Sequence, residues 1–205
     1  MKMESVENEE NAFEGNHRHF VLHKPYGYLS QLINNQRIRR NKKLLGELYD
    51  FPEGTMAIGR LDEKSEGLLL LTTNGKLSKL ISSNKYEKEY FVLVDGIITA
   101  EAIYKIREGV EITVKKEPYT TTPCIARILD EAPTFLGKSK HVRDDRHGPT
   151  SWISVTLTEG KFRQVRKMTA AVGFPTLRLV RVRIASTTIE GLAAGEVIEV
   201  DQVQL

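Results

Sequence analysis

The residue types best suited to chemistry sit in one short segment, Gly59-Arg60-Leu61-Asp62-Glu63-Lys64-Ser65-Glu66-Gly67, which runs on into Leu68-Leu69-Leu70-Leu71-Thr72-Thr73-Asn74-Gly75. It sets an ionisable carboxylate, Asp62, in a sharp connection between two apolar stretches, Met56 to Leu61 and Leu68 to Leu71. Glycines at 59 and 67 bracket that connection, so the backbone can turn tightly and another group can approach closely. A carboxylate placed this way suits nucleophilic attack or base work if something holds it ionised. The plainer role for the same residue is an Asx turn cap ahead of Ser65.

A cationic counterpart lies further along, in Gly160-Lys161-Phe162-Arg163-Gln164-Val165-Arg166-Lys167-Met168. The spacing predicts a helix from Lys161 to Val172, ended by Gly173 in a C-cap position. On its wheel Phe162, Val165, Met168, Thr169 and Val172 form the buried stripe, while Arg163 and Lys167 point away from it, suited to phosphate. Arg166 falls on the shoulder of the stripe, so its guanidinium is expected to be partly buried and to need an anion. An Arg–carboxylate pair would keep Asp62 charged and oriented.

Charge distribution favours a polyanionic partner. The net charge is only +3, but residues 1–16 carry five glutamates and one lysine. From Gly160 to Ile189 there are seven basic residues and no acidic one, and a shorter basic run spans Arg37 to Lys43. Concentrated Lys and Arg bind nucleic acid through phosphate contacts and counterion release. A solvated face is the alternative reading of both stretches. Lys24, in the turn Lys24-Pro25-Tyr26-Gly27-Tyr28, could touch phosphate or be a surface lysine.

These residues need a frame. Strands are expected at His19 to His23, Met56 to Leu61, Leu68 to Leu71, Lys88 to Gly96, Val110 to Val114, Thr121 to Leu129, Trp152 to Leu157, Leu177 to Ile184 and Glu196 to Val200. In the fourth of these Tyr90, Val92 and Val94 share a face. Helices follow Asn74 and Thr99, and Leu44 to Phe51 reads as a short helix or turn. Residues 131–150 read as a mobile charged insertion. Strands outnumber helices and most connections look like hairpins, which makes an α+β fold with a mostly antiparallel sheet.

Several function classes drop out. Apolar runs such as Leu68–Leu71 are far short of a bilayer span. Residues 1–16, read as a disordered acidic tail, lack the apolar core of a signal peptide. The single Cys124 excludes an internal disulfide and fits a reducing compartment, so a cytoplasmic protein is expected. His17, His19 and His23 would share one strand face, yet no Cys or carboxylate stands at ligand spacing among them, and no metal is expected. No glycine-rich loop precedes Lys76, which argues against a phosphate-binding loop.

The segments His23 to Ser30, Gly59 to Gly75, Lys88-Glu89-Tyr90 and Gly160 to Met168 resemble, in the right order, the signature motifs of the RsuA family of RNA pseudouridine synthases. The continuations Thr169 to Leu179 and Pro149 to Trp152 resemble a branch that acts on large-subunit ribosomal RNA. The resemblance implies a mixed, mostly antiparallel sheet flanked by helices, with two lobes around a central cleft. It implies one catalytic domain over residues 17–205, without the S4-like module of many relatives. On matching positions, Asp62 would attack the uridine, Tyr90 would stack on the uracil and assist proton removal from C5, and Arg166 would pair with Asp62. Arg60 would help hold the flipped nucleotide's phosphate, and the surface around Arg163, Lys167, Arg178 and Arg181 would bind backbone. The isomerisation is internal and redox-neutral, so neither cofactor nor metal is implied, and a monomer meeting ribosomal RNA is expected. Ser65-Glu66 departs from the Thr and small residue of many relatives. The competing reading is a non-catalytic RNA-binding assembly factor on the same fold, which would not need Asp62, Tyr90 and Arg166 together.

Overall fold

Apolar runs and local caps set the element boundaries in the computed structural model, which describes residues 16–33, 42–137, 139 and 141–205. Residues 1–15 of the acidic tail and most of the Arg37-to-Lys43 run therefore lie outside the described residues. In chain order the strands are β1 (His19–Lys24), β2 (Tyr28–Leu29), β3 (Lys43–Leu44), β4 (Met56–Ala57), β5 (Glu66–Thr72), β6 (Lys88–Asp95), β7 (Glu111–Val114), β8 (Glu117–Thr120), β9 (Ile125–Ile128), β10 (Thr150–Leu157), β11 (Thr176–Ile184), β12 (Thr187–Thr188) and β13 (Val197–Val200). Among the described residues the α-helices are α1 (Gly75–Ser82), α2 (Ala100–Glu108) and α3 (Gln164–Ala171). The chain divides into two compact units, residues 1–86 with 184–205, and residues 87–183.

In the first unit β1 lies between β13 and β5, antiparallel to both, with His23 opposite Leu68 and Lys24 opposite Gly67. The short β4 also pairs antiparallel with β5. Every residue of β1 and β5 is buried, as the continuous apolar run of Leu68–Leu71 demands. Phe20, Leu22, Leu45, Leu69 and Leu71 form the core, with Tyr49 and Phe51 packed against it. The Phe51 ring meets Phe20 edge-on at 5.3 Å between centroids. Asn74 starts α1 as expected: its side chain accepts from the amides of Lys76 and Leu77 at 2.9 and 3.1 Å.

In the second unit the strand order is β11-β6-β10-β9, and both β6 and β9 run antiparallel to β10. Val92, Val94, Ile153 and Val155 from this sheet meet Ala102, Ile103 and Ile106 of α2 and Val165 and Met168 of α3. Thr99 caps α2 by accepting from the Ala102 amide at 3.2 Å. The β7–β8 hairpin was not expected, because Lys115 and Lys116 carry its two-residue turn at φ +52° and +74° where Asn-Gly is the usual signal.

Three expectations need correction. Helix α3 begins at Gln164, not Lys161, because Arg163 takes a left-handed conformation at φ +54°. Phe162 thus precedes the helix and is 71% exposed instead of joining the stripe. Its place inside is taken by Gln164, beside Val165, Met168 and Thr169. Residues 131–150, read as a mobile insertion, contain two 3₁₀ turns at Thr134–Leu136 and Asp145–His147. Arg143 ties this region down through Asp95 and the Gly148 carbonyl.

Candidate active site

The Asp62 loop is held from both ends. Ile58 and Leu61 are buried, and Gly59 between them sits at φ +68°, a conformation that costs an L side chain about 1 kcal/mol or more. A Cβ at Gly59 would meet nothing within 4 Å, so the glycine is needed for its backbone angle and not for space. Arg60 is exposed and Asp62 partly buried. The Ser65 amide donates to the Asp62 carbonyl at 3.0 Å, so the turn has a backbone closure of its own. Ser65 and Glu66 are both buried.

The segment after β1 supplies the outer support. Ser30 Oγ donates to the Leu61 carbonyl and accepts from the Leu61 amide, both at 2.9 Å. The Gly27 amide donates to the Glu63 carbonyl at 2.8 Å. Lys42 Nζ closes a pair with both Glu63 carboxylate oxygens at 2.5 and 2.6 Å. The residues flanking Asp62 are thus fixed by Ser30, Gly27 and Lys42, none of which was singled out for that role in the sequence. Ser30 and Gly27 do fall within the His23-to-Ser30 motif.

Lys24 does not have the surface placement that a phosphate contact requires. Its side chain is fully buried, and Nζ donates to the carbonyls of Pro25 at 2.9 Å and Glu63 at 3.5 Å. A buried ammonium needs such acceptors, and here they hold the Asp62 loop.

In the second unit Tyr90 stands on β6 opposite Val155, half-buried at the margin of the Val92–Val94 core. Its face is the one expected from the strand alternation. The neighbouring Glu89 accepts from Ser154 Oγ at 2.7 Å and from Arg183 Nε at 3.0 Å. Arg166 is partly buried on α3, as its wheel position implied.

The start of α3 is organised by Glu159, a residue that sequence reasoning missed. Glu159 is buried and accepts from Tyr119 Oη at 2.6 Å, the Thr122 amide at 2.9 Å and Gln164 Nε2 at 2.6 Å. Gln164 Oε1 in turn accepts from the Lys161 amide at 2.9 Å. Burial pushes the Glu159 carboxyl up, but the hydrogen bonds from Tyr119, Thr122 and Gln164 outweigh it and hold the group below its ordinary value. The result is a fixed turn from Gly160 to Arg163 that leads into the helix carrying Arg166.

The expected phosphate-binding surface is smaller than the charge count suggested. Arg163 is exposed and Lys167 is half-buried with Nζ donating to the Thr113 carbonyl at 2.6 Å. Arg178 is buried, its guanidinium donating to the Leu136 and Gly137 carbonyls at 3.0 and 2.8 Å, so it anchors that segment and does not face solvent. Arg181 is also buried, only 4% exposed, which removes it from an open surface. Lys88 donates to the Thr158 carbonyl at 2.9 Å, and burial followed by the nearby Arg181 lowers its pKa.

Burial raises the Cys124 thiol to about 11, so it does not compete as a nucleophile at neutral pH. His19 and His23 bond through Nδ1 to Thr72 Oγ1 and the Leu192 carbonyl, each at 2.8 Å. Among the described residues no cluster of three or more His, Cys, Asp or Glu could hold a metal, and no helix is long and apolar enough to cross a membrane.

Residues 18–171 match the family described as RNA pseudouridylate synthase, and the chain belongs to that family of isomerases. Among its relatives, Ribosomal large subunit pseudouridine synthase E of Xanthomonas axonopodis pv. citri (strain 306) is 42% identical over 175 residues, covering 84% of this chain and 88% of that protein. The protein of the same name from Vibrio parahaemolyticus serotype O3:K6 is 37% identical over 183 residues, covering 88% and 73%. A crystal structure of a pseudouridylate synthase aligns with TM-score 0.71 at 26% identity, over 91% of this chain and 71% of that one.

Proposed function

We propose that this chain isomerises a specific uridine to pseudouridine in large-subunit (23S) ribosomal RNA, with Asp62 as the nucleophile. The Asp62 carboxylate adds to the nucleoside at C1′ or C6, and the C1′–N1 glycosidic bond breaks. The uracil rotates while bound, C5 bonds to C1′, the bond to Asp62 breaks to return the free carboxylate, the C5 proton leaves and N1 gains one. No electrons are exchanged, so the balance needs no cofactor. Tyr90 stacks on the uracil and assists removal of the C5 proton, and Arg166 pairs with the Asp62 carboxylate. Arg60 holds the phosphate of the flipped nucleotide, and Arg163 and Lys167 bind backbone. Extruding the base costs about a few kcal/mol, which the phosphate contacts offset. The protein acts as a monomer in the cytoplasm.

The observation that carries this reading is the Asp62 turn, whose two flanking residues are bonded to Ser30 and Gly27 so that a single carboxylate is presented on a rigid support. Chemical mapping of pseudouridine in ribosomal RNA from a deletion strain tests it. One large-subunit position should lose its modification and regain it on complementation; an unchanged map sinks the assignment.

A further inference from the structure

Phe162 is the anomaly of the second unit: a large aromatic side chain, 71% exposed, on a segment that the buried Glu159 network holds rigid. Its neighbours are cationic. Lys167 Nζ lies 5.4 Å from the Phe162 ring centroid, and Lys161 Nζ lies 4.7 Å from the centroid of Tyr119. Both lysines tie the turn to the β7–β8 hairpin, Lys161 over Tyr119 and Lys167 through the Thr113 carbonyl. The tip of that hairpin is Lys115-Lys116, both exposed, and Arg163 is exposed beside Phe162. Against these cations the hairpin sets two exposed carboxylates, Glu111 and Glu117.

An exposed ring in a basic surround has the two components of a single-strand binding site. Stacking on a ring is open to any base, and cations track the phosphates. The groups shown beside Phe162 are cationic, Lys167 over its ring and Arg163 next in the chain, which suits RNA better than an apolar protein partner. We infer that Phe162 is a stacking platform for an unpaired base of the substrate RNA, with Lys115 and Lys116 binding the adjoining backbone. This rests on the RNA-modifying function proposed above and extends it to a stacking contact with an unpaired base. Lys167 covers one face of the ring and the base takes the other.

Binding of the full-length protein to a single-stranded oligouridylate, and to an RNA duplex with as many phosphates, tests the inference. Phe162→Ala should weaken oligouridylate binding about tenfold with an unchanged salt slope, and leave duplex binding as in wild type. Phe162→Trp should keep wild-type affinity, and Phe162→Leu should bind as weakly as the alanine variant. Lys115→Ala with Lys116→Ala should instead flatten the salt slope by about 0.7 per lost contact. Unchanged oligouridylate affinity in Phe162→Ala, or full affinity in Phe162→Leu, overturns the stacking role. If wild-type protein forms pseudouridine while either of those results is found, only this inference fails; if it forms none, the proposed function fails as well.

Discussion

Ser30 and Leu61 are joined by a reciprocal pair of hydrogen bonds, in which one hydroxyl donates to the Leu61 carbonyl and accepts from the Leu61 amide, each at 2.9 Å. Both residues are buried, and the next residue in the chain is Asp62. A side chain 31 positions upstream therefore fixes the peptide that aims the carboxylate.

Ser30→Ala leaves a buried amide and a buried carbonyl unsatisfied. It should cost about 2 kcal/mol of stability, measured by urea unfolding. Single-turnover pseudouridine formation should slow by about tenfold, because small misplacement of a reacting group is costly. RNA affinity should stay within a few-fold. An unaltered rate would mean that Ser30 does not set the geometry of Asp62.

Lys24 offers a test between support and phosphate contact. With Nζ on the carbonyls of Pro25 and Glu63, Lys24→Met should lower stability by about 1–3 kcal/mol and slow turnover. The salt dependence of RNA binding should not change. A fall in the log–log slope of about 0.7 to 0.9 would show that this lysine does meet a phosphate.

Glu159 makes a pH-dependent contribution whose sign follows from its depressed folded-state pKa. The carboxylate form is favoured by folding, so its stabilisation is present above the unfolded value, about 4.3, and is lost as pH falls through the folded one. Glu159→Gln should lose less stability than wild type when melting temperature is followed downward from pH 6. Parallel melting profiles would remove Glu159 from the account.

Much of this arrangement was legible because it is local. The unbroken Leu68–Leu71 run announced a strand buried along its whole length, and Asn74 and Thr99 announced their helices by cap chemistry. The alternation of Tyr90, Val92 and Val94 gave their shared face, and the wheel gave the partial burial of Arg166. What stayed hidden depends on partners distant in sequence or on backbone angles that residue type does not betray. Lys24 and Arg178 look like solvent-facing cations until the carbonyls of Glu63, Leu136 and Gly137 are brought to them. Glu159 becomes a hub only through Tyr119, 40 positions away. Phe162 was misplaced because the left-handed turn falls on Arg163, where no glycine or asparagine marks it.

In the proposed reaction the Asp62 carboxylate does the chemistry and not the docking. The most direct test incubates purified wild-type and Asp62→Asn protein with large-subunit ribosomal RNA transcript, scoring pseudouridine and measuring RNA affinity side by side. Wild type should form pseudouridine at one position and the variant none, while the two bind RNA within a few-fold of each other. Pseudouridine formation by Asp62→Asn, or its loss only in step with lost binding, would contradict it.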